Sequence, residues 1–368
     1  MGDQATSSRY EHLNLREWPF NIVPSEDTAS VWVGRPEALR RLRILLRTVS
    51  RVPASQIVLL WAAYGGGKTH ALKHLHGMTR EKPDLLALYT ATPEGIRSFL
   101  DVYRAIIDAA LESGTVAAAG RDLFSRIGSP GRSDLERALI RVGTLAIDDR
   151  EVRTAISWLK AEKVPQRDLR DIGISRRLES TIDGVDCLNE LITVLQRDGA
   201  VKVLLLIDEI QEIEKLKDKQ RAEAVGGLHK VFDRTTDGLT LVLSFTTAAQ
   251  AQVKHIIGDA LFDRRSEILA LPPIIVDEGV ELVEGLLRAW SIDANKSPFP
   301  FDAGAIRAGV EAIDAETRLL TPREVIRGFN TILREADLDI EEGEIEQIDS
   351  AYAVTRVAPP PDEEDGQA

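Results

Sequence analysis

Residues 57–69 read Ile-Val-Leu-Leu-Trp-Ala-Ala-Tyr-Gly-Gly-Gly-Lys-Thr. An apolar run that empties into three glycines, a lysine and a threonine has the form of a buried strand followed by a phosphate-binding turn. With no side chains at Gly65, Gly66 and Gly67, backbone N–H groups can close around a polyphosphate. Lys68 is placed to reach the β and γ phosphates, and the Thr69 hydroxyl to ligate Mg²⁺. The helix that starts near Thr69 aims its positive end at the same anion. Tyr64 and His70 flank the turn and complete the expected nucleotide contacts on this segment. The pattern G-x-x-x-x-G-K-[ST] fails at one place, its first glycine, which is Ala62 here.

Asp208 and Glu209 directly follow the run 201–207, Val-Lys-Val-Leu-Leu-Leu-Ile, which suits a central parallel strand covered on both faces. A strand ending in Asp-Glu supplies two carboxylates with separate tasks. Asp208 is expected to hold Mg²⁺ through water, because Mg²⁺ sheds water reluctantly, and Glu209 to polarise an attacking water. By itself an apolar-Asp-Glu strand end is common. About 140 residues after a glycine turn, it becomes the second half of a Mg-ATP site, expected to meet Lys68 across adjoining strands. Thr246 and Thr247 close the run at 239–246 and are candidates to touch the γ-phosphate or its water, with Thr247 preferred. Arg264 and Arg265 precede a short strand and are candidates for an arginine that reaches a neighbouring subunit's phosphate, with Arg265 the better spaced. Thr321 and Pro322 read as a helix N-cap and first position, which puts Arg323 in a first turn able to face nucleotide.

The pattern predicts an α/β parallel sheet with crossover helices. Strands fall at 56–61, 85–91, 201–207, 239–246 and 268–275, and helices at 35–51, 69–78 and 95–111. Residues 1–30 read as an extended arm anchored by Trp18, Pro19 and Phe20. Residues 31–275 form the nucleotide-binding domain, with 113–197 as a helical insertion. Residues 276–336 are all helical (277–290, 302–313, 321–336) and form a small bundle. Residues 337–368 read as an acidic tail whose last ten or so residues are disordered.

The chain of 368 residues carries a net charge of −13 and one cysteine, Cys187. A single cysteine excludes an internal disulfide framework and suits the cytoplasm. No run approaches the roughly 18–20 apolar residues of a membrane span, and the first residues lack a signal peptide's apolar segment. From Asp337 on, eleven carboxylates face one arginine, a net of −10, which leaves −3 for the remaining body. A near-neutral body can hide a basic face. Arg35, Arg40, Arg41, Arg43, Arg47 and Arg51 cluster on one helical segment, read either as a solvated helix face or as a DNA-backbone contact. His70 and His74 are four apart and share a helix face, but no acidic or cysteine partner lies nearby to make a zinc site.

Taken together, six motifs resemble the AAA+ ATPases, most closely the initiator-like branch of Orc1/Cdc6-type proteins: Val33-Gly34-Arg35, Gly65-Gly66-Gly67-Lys68-Thr69, Ile207-Asp208-Glu209, Thr246-Thr247, Phe262-Asp263-Arg264-Arg265 and Thr321-Pro322-Arg323-Glu324. The resemblance implies a P-loop NTPase three-layer sandwich with a small all-helical AAA+ lid. It places Val33, Gly34 and Arg35 near the adenine, makes Arg265 the arginine finger and Arg323 the lid sensor, and implies ATP, Mg²⁺ and a homo-oligomer. Only an acidic segment of about thirty residues follows the lid, where Orc1/Cdc6-type proteins carry a winged-helix DNA-binding domain. The insertion, with Trp158-Leu159-Lys160 and Leu169-Arg170-Asp171-Ile172-Gly173-Ile174, resembles that of bacterial ATP-binding proteins from BREX-type phage-defence loci. This favours a defence or mobile-element ATPase acting on DNA or on protein partners of the same system. A transposition regulator and a nucleotide-gated module that rarely hydrolyses are the alternatives. A small-molecule kinase and a purely structural protein fit the motifs less well.

Overall fold

The computed structural model describes residues 9–23, 25–128, 130–197, 199–247 and 250–357. The chain divides into two compact units. One gathers residues 1–41, 62–74 and 271–368, the other residues 42–61 and 75–270.

The second unit is built on a five-stranded sheet. β1 (Gln56–Ala62), β2 (Leu85–Ala91), β3 (Lys202–Asp208), β4 (Leu239–Thr246) and β5 (Glu267–Leu271) lie in the order β2-β3-β4-β1-β5. β2 pairs with β3 in parallel from Leu85↔Lys202 to Ala91↔Asp208, and β3 with β4 in parallel from Val203↔Leu239 to Ile207↔Leu243. All of β1 and all of β4 but its last residue are buried, as continuous apolar runs require when both sheet faces are covered. Each of Val203 to Ile207 is at most 1% exposed, and each such side chain stabilises the fold by roughly 1.5–3 kcal/mol. The architecture is the α/β P-loop NTPase fold that the sequence predicts.

Two strand expectations need correction. β1 and β3 are not neighbours, because β4 lies between them. A sequence gives the order of strands along the chain but not across the sheet, and the uniformly buried Leu239–Phe245 run takes the covered place. β5 stops at Leu271 rather than 275, because Pro272 and Pro273 have no N–H to give a ladder.

The insertion at 113–197 is helical: Thr115–Ile127, Asp134–Thr144, Arg150–Leu159, Gln166–Asp171 and Thr181–Gln196. Polar caps start three of these helices. Ser133 accepts from the Glu136 N–H, Asp149 from Glu151 and Ser180 from Asp183. The insertion shares one core with the sheet, since Leu139, Trp158 and Leu188 belong to the same buried cluster as Leu59, Leu88 and Leu205. The buried Tyr103 hydroxyl donates to the Leu159 carbonyl at 2.7 Å and to Cys187 Sγ at 3.2 Å. Burial pushes the Cys187 thiol up to about 12, against the opposing bond from Tyr103, so the thiolate is scarce at neutral pH.

The first unit contains the helices Val276–Trp290, Ala305–Glu316, Pro322–Glu341 and Ser350–Thr355. Leu13, Leu15 and Phe20 of the N-terminal segment join Val310, Phe329 and Leu333 in its core. Trp18 Nε1 donates to Asn330 Oδ1 at 2.7 Å. The boundary expected at 336/337 falls inside a helix that continues to Glu341. Ile348 and Ala353 are fully buried in the same core, Asp337 pairs with His12 at 2.8 Å, and Asp339 accepts from the Tyr352 hydroxyl at 2.6 Å. Counting charge obscured the apolar residues threaded between the acids. Residues 358–368, where disorder was expected, lie outside the described residues.

Candidate functional site

The glycine turn belongs to the first unit, as residues 62–74, and Asp208 and Glu209 belong to the second. In the turn, Gly65 and Gly67 have φ of +74° and +91°, a region that disfavours any Cβ. Gly66 is required for a different reason. A Cβ there would lie 2.6 Å from the Ala62 methyl and 2.9 Å from the Ala63 carbonyl oxygen. The methyl that breaks the motif at Ala62 is thus accommodated by the absence of a side chain at Gly66.

The carbonyls of all three glycines are bound. The Gly65 carbonyl accepts the Arg323 N–H at 3.2 Å, the Gly66 carbonyl accepts Arg35 Nη1 at 2.6 Å, and the Gly67 carbonyl accepts the Ala71 N–H at 2.9 Å. A trans peptide points its N–H opposite its C=O, so binding the Gly66 and Gly67 carbonyls turns the Gly67 and Lys68 N–H groups the other way, as an anion nest requires, while the Gly66 N–H is taken by the Ala63 carbonyl at 3.0 Å. Lys68 opens the helix Lys68–Thr79 and is 5% exposed, and Thr69 follows it in the first turn.

Arg323 lies in the first turn of the helix capped by Thr321, as expected. Its guanidinium stands 4.4 Å from the ring centre of Tyr64, itself 66% exposed. A Cβ at Gly65 would come within 2.8 Å of both Arg323 Cβ and Thr321 Oγ1. Val33 packs on Gly285, where an added Cβ would overlap its methyls, and Gly34 takes φ +66°. His70 Nε2 donates to the Val31 carbonyl at 3.0 Å and His74 Nδ1 to the Ala29 carbonyl at 2.8 Å, with the Trp32 ring 5.4 Å and 5.1 Å from the two imidazoles. Burial lowers the His70 pKa, with the Val31 bond opposing it.

In the second unit, Asp208 is 1% exposed. Its carboxylate accepts the Ser244 hydroxyl, the Glu209 N–H at 3.0 Å and the Tyr89 hydroxyl at 3.4 Å. Burial first, then the Asp208 charge, raises the Tyr89 phenol, which therefore stays a donor. Glu209 has φ +56°. Its carboxylate accepts the Gln211 amide and the Thr246 hydroxyl, the latter at 3.3 Å. The other end of the Gln211 amide accepts the Thr246 N–H at 3.0 Å. Thr246, rather than the preferred Thr247, therefore reaches the Glu209 carboxylate, while the Thr247 hydroxyl donates to Gln252.

Sequence reasoning passed over Gln211 and Ser244. Ser244 left a signal, a hydroxyl in the middle of an apolar strand that had to find a buried partner. Gln211 left only a polar position between Ile210 and Ile213.

Arg264 pairs with Asp233. Arg265 donates to the Phe262 carbonyl at 2.7 Å and lies 3.9 Å over the Phe262 ring. On the helix Pro36–Arg51, residues 40, 43, 47 and 51 are exposed arginines at spacings that share one face. No helix among the described residues is long and apolar enough to cross a membrane.

The family model of the BREX system ATP-binding protein BrxC/D matches residues 131–255, which span most of the insertion and both β3 and β4. Among solved structures, the chain is similar to the ORC2 protein of Aeropyrum pernix in its ADPNP-ADP complexes, at 13% identity over 89% of this chain and 70% of that chain, with a TM-score of 0.53. It is also similar to Cdc6p of Pyrobaculum aerophilum, at 16% identity over 88% and 68%, with a TM-score of 0.48. No curated protein sequence matches the chain. The two resemblances carried by the motifs, to Orc1/Cdc6-type ATPases in fold and to BREX ATP-binding proteins in sequence, are both found again here.

Proposed function

We propose that this chain is an ATP-binding and ATP-hydrolysing AAA+ switch of a prokaryotic defence or mobile-element system. The observation that carries the reading is the glycine turn at the start of the helix Lys68–Thr79, with the Gly66 carbonyl held by Arg35, an arrangement suited to an anion. In this reading Gly65, Gly66, Gly67 and Lys68 hold the phosphates, while Val33, Gly34, Tyr64, His70 and Arg323 border the nucleotide. Thr69 and Asp208 hold Mg²⁺, and the buried Asp208 carboxylate with its fixed donors suits a hard cation bound through water. When bound, the ion offsets charge on the transferred phosphoryl group. Glu209 orients and polarises the water that attacks the γ-phosphorus, and ADP and phosphate leave. Thr246 is the hydroxyl that meets that carboxylate, and Thr247, the next residue, is the other candidate to touch the γ-phosphate or its water.

The chain would act as a homo-oligomer in the cytoplasm, with a protein of the same system or DNA as its partner. Arg264 or Arg265 would reach a neighbour's phosphate. Arg265 is the cheaper to recruit, since its carboxylate partner Asp263 stands 3.9 Å away, whereas Asp233 is in direct hydrogen-bonding contact with Arg264. The arginine face of helix Pro36–Arg51 would carry any DNA contact.

Glu209→Gln tests the reading. ATP binding is expected to persist while turnover collapses, and ATP is expected to enlarge the particle on a sizing column. A Glu209→Gln chain that hydrolyses as the parent does would refute the catalytic assignment. A second reading, a nucleotide-gated module with little turnover, is favoured by the engagement of Glu209 with Gln211 and Thr246. Unmeasurable phosphate release from a chain that binds ATP would select it.

A further inference from the structure

The resemblance puts Arg35 beside the adenine, yet its guanidinium is committed to backbone. Nη1 donates to the Gly66 carbonyl at 2.6 Å and Nη2 to the Pro272 carbonyl. The same Nη1 stands 3.6 Å from where a Cβ at Gly67 would be. Burial lowers the pKa of this arginine, and the Glu278 carboxylate opposes the shift, so the cation persists in its half-buried place. Arg35 also holds φ +46°, a left-handed conformation that is unfavourable for a non-glycine residue. Glycine would sit there without that cost, so the arginine side chain must compensate.

From this geometry we infer that Arg35 is a positioning residue for the phosphate turn, acting on bound phosphates through the Gly66 peptide rather than on the base. The Gly66–Gly67 peptide joins two residues without Cβ atoms and has little of its own to stop it rotating. The guanidinium fixes its carbonyl on the outer side, which aims the Gly67 N–H at the inner side. The second bond anchors the guanidinium to Pro272, at the root of the helical bundle. Lysine cannot replace it, because one ammonium lacks the planar fork that meets two carbonyls at once. No direct contact between Arg35 and the nucleotide is needed.

The inference rests on the proposed nucleotide reading, and the test separates the two. Calorimetry with Mg-ATP and with inorganic tripolyphosphate is run on the parent chain, Arg35→Gly and Arg35→Lys, with melting curves recorded without ligand. Arg35→Gly relieves the left-handed backbone, and Arg35→Lys serves if the glycine variant does not fold. Both probes are expected to weaken by the same factor, about tenfold to a hundredfold, the range of one charge-assisted hydrogen bond. Millimolar methylguanidinium should restore part of the binding to Arg35→Gly, which a merely structural role would not allow. Weaker ATP with unchanged tripolyphosphate would show that Arg35 reads the base and would overturn the inference. So would parental affinity for both probes in both variants. A parent chain that binds neither probe refutes the nucleotide reading itself.

Discussion

Replacing Gln211 by methionine keeps the length of the side chain and deletes its two polar contacts. One is the amide N–H that meets the Glu209 carboxylate; the other is the acceptor for the Thr246 N–H at 3.0 Å. Among the described residues, the Glu209 carboxylate then keeps the Thr246 hydroxyl, at 3.3 Å. A hydrogen bond to a charged group contributes about 1.5–3 kcal/mol. If that bond orients the carboxylate for the attacking water, kcat should fall by about tenfold to a hundredfold. KM should stay near the parental value, because no contact to the phosphate turn is lost. Steady-state phosphate release across an ATP titration separates the two parameters, and a melting curve checks folding. Gln211→Glu sharpens the test. It keeps an acceptor for the Thr246 N–H but sets a second carboxylate against Glu209, so its loss of kcat should be larger than that of methionine. Parental kcat in both variants, or a change confined to KM, would refute the idea that Gln211 holds Glu209 in place.

Gly120→Ala should unfold the insertion at lower temperature. A Cβ at Gly120 would lie 1.9 Å from the Leu139 carbonyl oxygen, with Gly143 Cα at 3.1 Å, so the two helices must separate. Such overpacking costs typically about 1–3 kcal/mol, and calorimetric melting would show it; an unchanged melting temperature would contradict the crossing. Ser180→Ala should cost about 1 kcal/mol as a lost N-cap, with a pH signature from Asp183. Burial raises the Asp183 pKa, but the Ser180 hydroxyl, the Glu179 and Ser180 N–H groups and Arg176 outweigh it, leaving it below the ordinary 3.8. A depressed carboxylate stabilises the fold above its unfolded pKa and loses that contribution as pH falls through the folded value. The gap between parent and Ser180→Ala in urea midpoint should therefore be full at pH 7 and narrower at pH 3. A gap of equal size at both would show that Asp183 is not part of the cap.

Elements whose partners are local in sequence were legible. β2 was read at 85–91 and is found at Leu85–Ala91, because its apolar run is bounded by Pro83 and Asp84 on one side and by Thr92 and Pro93 on the other. The helix read from 95 begins at Phe99, since Ser98 and Asp101 form the cap and Gly95 takes φ +69° in the preceding loop. What escaped depends on contacts between distant residues. Nothing in the string Asp-Glu-Ile-Gln shows that Gln211 will bridge Glu209 to a threonine on β4. Likewise Val33-Gly34-Arg35 does not reveal that its arginine bonds to Gly66 and Pro272. The acidic segment after Asp337 misled because composition averages over a helix whose apolar face is buried and whose acids find His12, Tyr352 and Arg356. Strand order was hidden for a similar reason, as a hydrophobic run fixes burial but not which neighbour it will have.

Titration calorimetry of Mg-ATP against the parent chain and Lys68→Ala tests the central claim most directly. Heat from saturation of a single site is expected on the parent, and none at the same concentrations for Lys68→Ala, with a melting curve of each ligand-free chain to check that it is folded. Absence of heat with the parent, or equal affinity in the two chains, would contradict that claim.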